Sequence, residues 1–124
     1  MKIKKIDIGI KGLKESLTDF AETWKKLEAG ERVKKEEGIY FESVDAMRAV
    51  LNNKRLLILK TIKEKEPGSV YELAKLLNRD LKNISQDIKL LAEVGLVTLE
   101  KIEKEKKRIV PHVDYSKILL EIPV

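Results

Sequence analysis

Residues 69–107 run SVYELAKLLNRDLKNISQDIKLLAEVGLVTLEKIEKEKK, and this stretch decides the fold. Ser69 and Glu72 have the spacing of a capping box, in which a hydroxyl and a carboxylate each satisfy an amide left open in the first helical turn. Leu73, Leu76 and Leu77 then give a short helix its apolar contacts. Ala74 is small and lets a neighbouring helix approach closely. Asn78-Arg79-Asp80 forms a tight polar turn, with Asp80 as N-cap of the next helix. Leu81, Ile84, Ile88 and Leu91 share one side of that second helix. Gly95 falls where a left-handed C-terminal cap is expected. Leu96-Val97-Thr98-Leu99 begins a strand, the run Lys101 to Arg108 carries a charged turn, and Ile109-Val110 resumes. Pro111 has no amide hydrogen for a sheet ladder, so the returning strand becomes an edge there.

Short helix, turn, amphipathic helix and hairpin, in that order, is the layout of a winged helix-turn-helix. The expected fold class is α+β: a winged helix-turn-helix over residues 43–124 with an N-terminal strand-helix-strand extension over residues 1–42. Ser43 caps a short helix through Leu51, and Asn53 caps the next, KRLLILKTIKEKE, until Pro67-Gly68 stops it. Leu56, Leu57, Leu59 and Ile62 are expected on its buried side, with Ile58 facing a neighbouring element.

In the extension, Ile6, Ile8 and Ile10 alternate with Asp7 and Gly9, the period of a half-buried strand. Leu13, Leu17, Phe20, Trp24 and Leu27 follow at helical steps on a single stripe, which reads as core. Ala29-Gly30 ends that helix unless ERVKKEE prolongs it, and Ile39 with Phe41 marks a second short strand. Some 42 residues cannot bury a full core alone, so this piece must pack on the rest of the chain or on another copy. Its role is then dimerisation or partner binding. Ile118, Leu120 and Ile122 alternate in a terminal strand suited to pairing with Ile6–Ile10.

Composition narrows the function classes. Of 124 residues, 38% are charged, above the roughly 25% usual for a globular protein, so a small protein with much surface is expected. There is no Cys, which removes disulfides, thiolate nucleophiles and thiolate metal sites and fits a reducing cytoplasm. MKIKKIDIGIKGLKE has no apolar run long enough for a secretory leader, and no stretch of about 18 apolar residues predicts a membrane span. The only His is His112, next to Pro111, where it reads as structural. The glycines are scattered singly and form no phosphate loop. No catalytic residue, metal site or cofactor is expected, and the chain does not read as an enzyme.

The net charge is +5, which permits an acidic partner. Lys101 to Arg108 holds five positive and two negative residues, so part of the excess sits on the expected hairpin. The side of the second helix opposite its apolar stripe carries Lys82, Gln86, Lys89 and Glu93, flanked by Asn83 and Ser85. Lys can donate to guanine O6 and N7, and Asn or Gln can make a bidentate contact with adenine. The expected base contacts are therefore Lys82, Asn83, Ser85, Gln86 and Lys89. Backbone contacts are expected from Ser69, Tyr71, Arg79, Lys101, Lys104, Lys106, Lys107 and Arg108, which give affinity, register and salt dependence but no sequence choice.

AVLNNKRLLILKTI and SVYELAKLLNRDLKNISQDIKLLAEVGLV resemble winged-helix transcription regulators of the broad MarR and ArsR type, and more closely small archaeal and bacterial MarR-like predicted regulators. PHVDYSKILLEI adds to the likeness, which covers about residues 43–122. The resemblance implies a cytoplasmic repressor that binds double-stranded DNA as a homodimer on a palindromic site. It assigns base contacts to Lys82, Asn83, Ser85 and Gln86, and backbone contacts to Arg79 and the hairpin. Residues 1–42 do not match the long dimerisation helices of MarR proteins. A competing reading is a winged-helix protein-interaction module, or an antitoxin-type autoregulator whose first 42 residues hold a protein partner such as a toxin.

Overall fold

A computed structural model describes residues 4–31 and 38–124. The continuation of the first helix through residues 32–37, considered above, lies outside the described residues. The chain runs β1 (Lys5–Ile10), α1 (Leu13–Glu28), β2 (Ile39–Phe41), α2 (Val44–Val50), α3 (Asn53–Lys65), α4 (Val70–Leu76), α5 (Leu81–Val94), β3 (Thr98–Ile102), β4 (Arg108–His112) and β5 (Lys117–Glu121). It is a small α+β fold, with two sheets among the described residues. One has the order β2-β1-β5 and the other is the hairpin β3-β4.

The first strand is central in its sheet because it pairs in parallel on both edges. Ile8 lies opposite Ile39 on one side and Leu120 on the other. The terminal strand therefore does pair with the initial one, and the Ser116 amide donates to the Lys4 carbonyl at 2.9 Å just before that ladder. Parallel neighbours require a crossover, and α1 supplies it between β1 and β2.

A single core joins the sheet to the helices. Ile8 and Phe41 pack in one cluster with Met47, Ile58, Ile62, Leu73, Ile84, Ile88 and Leu91. Side chains of this type contribute about 1.5–3 kcal/mol each on full burial. The extension therefore shares its core with the rest of the chain through its strands.

Its helix does not. No residue of α1 is buried, and Leu13, Leu17, Phe20, Trp24 and Leu27 are each 55–68% exposed. Periodicity fixes that five side chains share a face, not that the same chain covers it. Neither the core cluster nor the partly buried side chains packed against it include a residue of α1. On α3 the buried residues are Ile58, Leu59 and Ile62, while Leu56 and Leu57 are exposed. Four consecutive apolar residues cannot all face one side of a helix, and the pair nearer Ile62 took the core. Leu76 and Leu81, read as core contacts, are exposed as well.

The caps follow the sequence with instructive shifts. The Ser43 hydroxyl accepts from the Ala46 amide at 3.1 Å. For α3 the cap is Asn52, accepting from the Arg55 amide at 2.9 Å, and Asn53 is already helical. Ser69 accepts from the Glu72 amide at 3.0 Å, but the Glu72 carboxylate reaches back to the Gly68 amide, at 2.7 Å, rather than to that of Ser69. Asp80 sits at the N-cap of α5 without a side-chain cap hydrogen bond. Gly95 closes α5 at φ 93°, a left-handed conformation that favours glycine.

Candidate nucleic-acid interface

Three elements converge on one open cleft: the start of α4, one flank of α5, and the β3-β4 hairpin. The cleft has a volume of about 900 Å³. Its floor is apolar, from Val70, Leu81, Ile88, Leu99, Ile102 and Ile109. Ser69, Tyr71, Ser85 and Lys89 form the helical rim. Lys101, Lys106, Lys107 and Arg108 form the hairpin rim, together with Glu103. The exposure of Leu81 has its reason here, since it lies at the junction of helix and hairpin instead of in the core.

The hairpin is antiparallel, with Lys101 opposite Ile109 and Ile102 opposite Arg108. Val110 and Pro111 are both buried in β4, while Lys101, Lys104, Lys106, Lys107 and Arg108 are exposed. Glu105 takes a left-handed conformation at φ 53° in the connection. His112 bonds Glu100 across the hairpin, Nε2 to Oε2 at 2.8 Å. Behind the hairpin, the Tyr115 hydroxyl donates to the Leu96 carbonyl at 2.8 Å and ties the segment after β4 to the segment before β3. Burial pushes the Tyr115 phenol up to about 12.

The residues expected to bind a duplex divide into three groups. Ser69, Tyr71, Ser85, Lys89, Lys101, Lys106, Lys107 and Arg108 meet around the cleft. Lys82, Asn83 and Gln86 stand exposed on α5 outside it, and Lys104 is exposed at the turn of the hairpin. Arg79 belongs to neither group. Its Nη2 donates to Asp87 Oδ2 at 3.0 Å, and its Nη1 is buried with no hydrogen-bond partner among the described residues. Arg79, expected at the DNA backbone, is held in an internal ion pair by a carboxylate eight residues on.

That pair is half of a bridge missed by the sequence reading. Arg55 Nε donates to Asp87 Oδ1 at 3.2 Å, and Arg55 Nη1 donates to the carbonyls of Ala49 and Val50 at 2.7 and 3.1 Å. One carboxylate therefore joins the end of α2, the start of α3, the α4–α5 turn and α5. The signal was present: Asp87 flanks the Ile84-Ile88-Leu91 stripe, and a carboxylate at the margin of a buried stripe needs a cation. The bridge also removes Asp87 as a charge opposing a polyanion. Asp80, Glu103 and Glu105 remain exposed.

A cleft with an apolar floor, hydroxyls on one rim and cations on both offers charge-assisted hydrogen bonds to anionic oxygens and dispersion contacts to whatever lies between them. Among the described residues no group of His, Asp and Glu could hold a metal ion, and no helix is long and apolar enough to cross a membrane.

The described residues define a small α+β protein whose basic cleft lies between a helix and a hairpin. The chain belongs to the HVO_A0114 family, whose model matches residues 50–120, more than half of its length. The match takes in α3, α4, α5 and the hairpin and reaches β5, so Arg55, Arg79, Asp87 and the cleft residues fall within it; β1, α1, β2 and all of α2 except Val50 lie outside. No curated protein matches the chain.

Proposed function

We propose that this protein is a sequence-specific, double-stranded-DNA-binding transcriptional regulator of winged helix-turn-helix type, acting in the cytoplasm as a homodimeric repressor. In this reading α4 and α5 are the helix-turn-helix, α5 is the recognition helix, and β3-β4 is the wing. Lys82, Asn83, Ser85, Gln86 and Lys89 read base edges in the major groove. Ser69, Tyr71, Lys101, Lys104, Lys106, Lys107 and Arg108 hold the backbone or probe the minor groove. The resemblance to MarR-like regulators points the same way. The observation that carries the reading is the cleft, where exposed hydroxyl and amine groups of α5 share one surface with the cations of the hairpin.

The test is a titration of the full chain against duplex DNA over a range of salt. Affinity should fall as salt rises, with a log–log slope shallower than about −4 to −5 per chain, the limit for five phosphate contacts. The reading fails if no duplex is bound at about 100 mM salt. The uncovered stripe of α1 favours a second reading, a module whose work is to hold a protein partner such as a toxin. In that case the chain would show no duplex affinity and would co-purify with the partner.

A further inference from the structure

We infer that α1 is a self-association helix, and that two copies of this chain pair through it as an antiparallel two-stranded coiled coil. The steps from Leu13 to Leu17, Phe20, Trp24 and Leu27 are four, three, four and three. That is the d-a-d-a-d seam of two heptads, narrower than the stripe of a helix that packs on a globular core. The partner such a seam fits is another helix of the same repeat, and a second copy supplies one. All five seam residues are more than half exposed, and no other apolar residue of α1 competes for them except Ala21.

The flanking positions select the orientation. In heptad terms Lys14, Ala21 and Glu28 occupy e, while Ser16 and Thr23 occupy g. A parallel pair would set e against g and bring no opposite charges together. An antiparallel pair sets e against e. Leu17 then lies against Leu27 of the partner subunit and Phe20 against Trp24 of the partner subunit. In this same register Lys14 falls beside Glu28 of the partner subunit, once on each side of the two-fold axis. Ala21 meets its own copy near that axis, where a small side chain lets the backbones close up. The helix dipoles also oppose in this arrangement.

The area approaches that of a standard interface. The exposed parts of the five side chains come to roughly 600 Å² per chain, against about 800 Å² per partner in a standard specific interface. The inference does not rest on the DNA-binding reading, although a two-fold axis through α1 would suit a palindromic site.

Sedimentation equilibrium of the full chain is the test. The 14.3 kDa chain should sediment as a dimer at micromolar concentration. Leu17→Lys with Phe20→Lys should give a monomer with an unchanged far-ultraviolet circular dichroism spectrum, since neither residue is part of the core. Lys14→Glu should weaken the dimer at least several-fold, and Lys14→Glu with Glu28→Lys should restore it. Trp24, the sole tryptophan, gives a second readout: its emission should shift to the red as the dimer is diluted. A monomeric wild-type chain, a dimer that survives the double lysine substitution, or a charge swap that fails to restore association would each overturn the inference. Duplex binding by the monomeric variant is measured in parallel, so loss of pairing and absence of DNA binding are told apart.

Discussion

Arg79 and Asp87 face each other across the first two turns of α5, Nη2 to Oδ2 at 3.0 Å, and Arg55 closes the same carboxylate from the other side. The arginine that the turn presents helps hold helix, turn and helix together. Asp87→Ala would leave two largely shielded guanidinium groups without their carboxylate. Fully buried pairs lose about 3–5 kcal/mol when one partner is removed, and partial exposure lowers this to about 2 kcal/mol here. Urea denaturation should show that loss as a lower midpoint.

Arg79→Ala separates the two roles directly. The structure predicts a stability loss of about 1 kcal/mol, consistent with a partly exposed charged hydrogen bond, and an unchanged salt slope for duplex binding. A backbone contact would give the reverse: stability intact, and a slope shallower by about one.

Gly95 and Glu66, two of the left-handed positions, make a reciprocal pair. Gly95 caps α5 at φ 93°, and a Cβ there would meet Ile39 Cδ1 and Cγ1 at an ordinary 3.7 and 3.9 Å. The cost of Gly95→Ala is therefore conformational, about 1 kcal/mol. Glu66 caps α3 at φ 45°, where a side chain carries that same cost. Glu66→Gly should raise stability by up to about 1 kcal/mol. Thermal or chemical unfolding of the two variants checks both signs.

Tyr115 gives an alkaline signature. Its folded-state value is raised from 10.0 to about 12 by burial, so the neutral phenol is the form the fold prefers. The native state then holds this proton where the unfolded state has released it. Its contribution is intact below pH 10 and is lost as pH rises from 10 through 12. Stability measured from pH 9 to 12 should fall more steeply in wild type than in Tyr115→Phe. At neutral pH the variant should be weaker by about 1 kcal/mol, for the lost bond to the Leu96 carbonyl.

Recognition and affinity should separate by surface. Lys82→Ala with Gln86→Ala should relax sequence preference by about 1–3 kcal/mol at the base pairs they read. Replacing Lys101, Lys106 and Lys107 by Gln should weaken binding to every sequence alike and flatten the salt slope. Competition titrations with matched and scrambled duplexes measure both.

Local signals were the legible part of this fold. Helix caps at Ser43, Ser69 and Gly95, the alternation at Ile6–Ile10, and the Ile84, Ile88 and Leu91 positions of the α5 stripe each depend on neighbours within a turn or a strand, and each stands in the structure. What covers a stripe was not legible. Leu13 to Leu27 and Leu81 have the spacing of core residues, yet one set faces solvent and the other lines a cleft, because their surroundings come from distant segments. Arg79 shows the same limit for the site. Its exposure to a ligand depends on whether Asp87 and Arg55 meet, and residue 55 is far away in the chain. Lys101 to Arg108 was readable because a dense charge run at a hairpin can hardly be buried.

Selection of bound duplexes from a random pool by the full chain reads binding, sequence choice and symmetry together. The recovered consensus should consist of two inverted half-sites whose centres lie about one helical turn, or a multiple of it, apart. Half-site preference should vanish in the Lys82→Ala, Gln86→Ala variant. A pool that emerges unenriched at about 100 mM salt, or enriched for a consensus indifferent to those two substitutions, would contradict the proposed function.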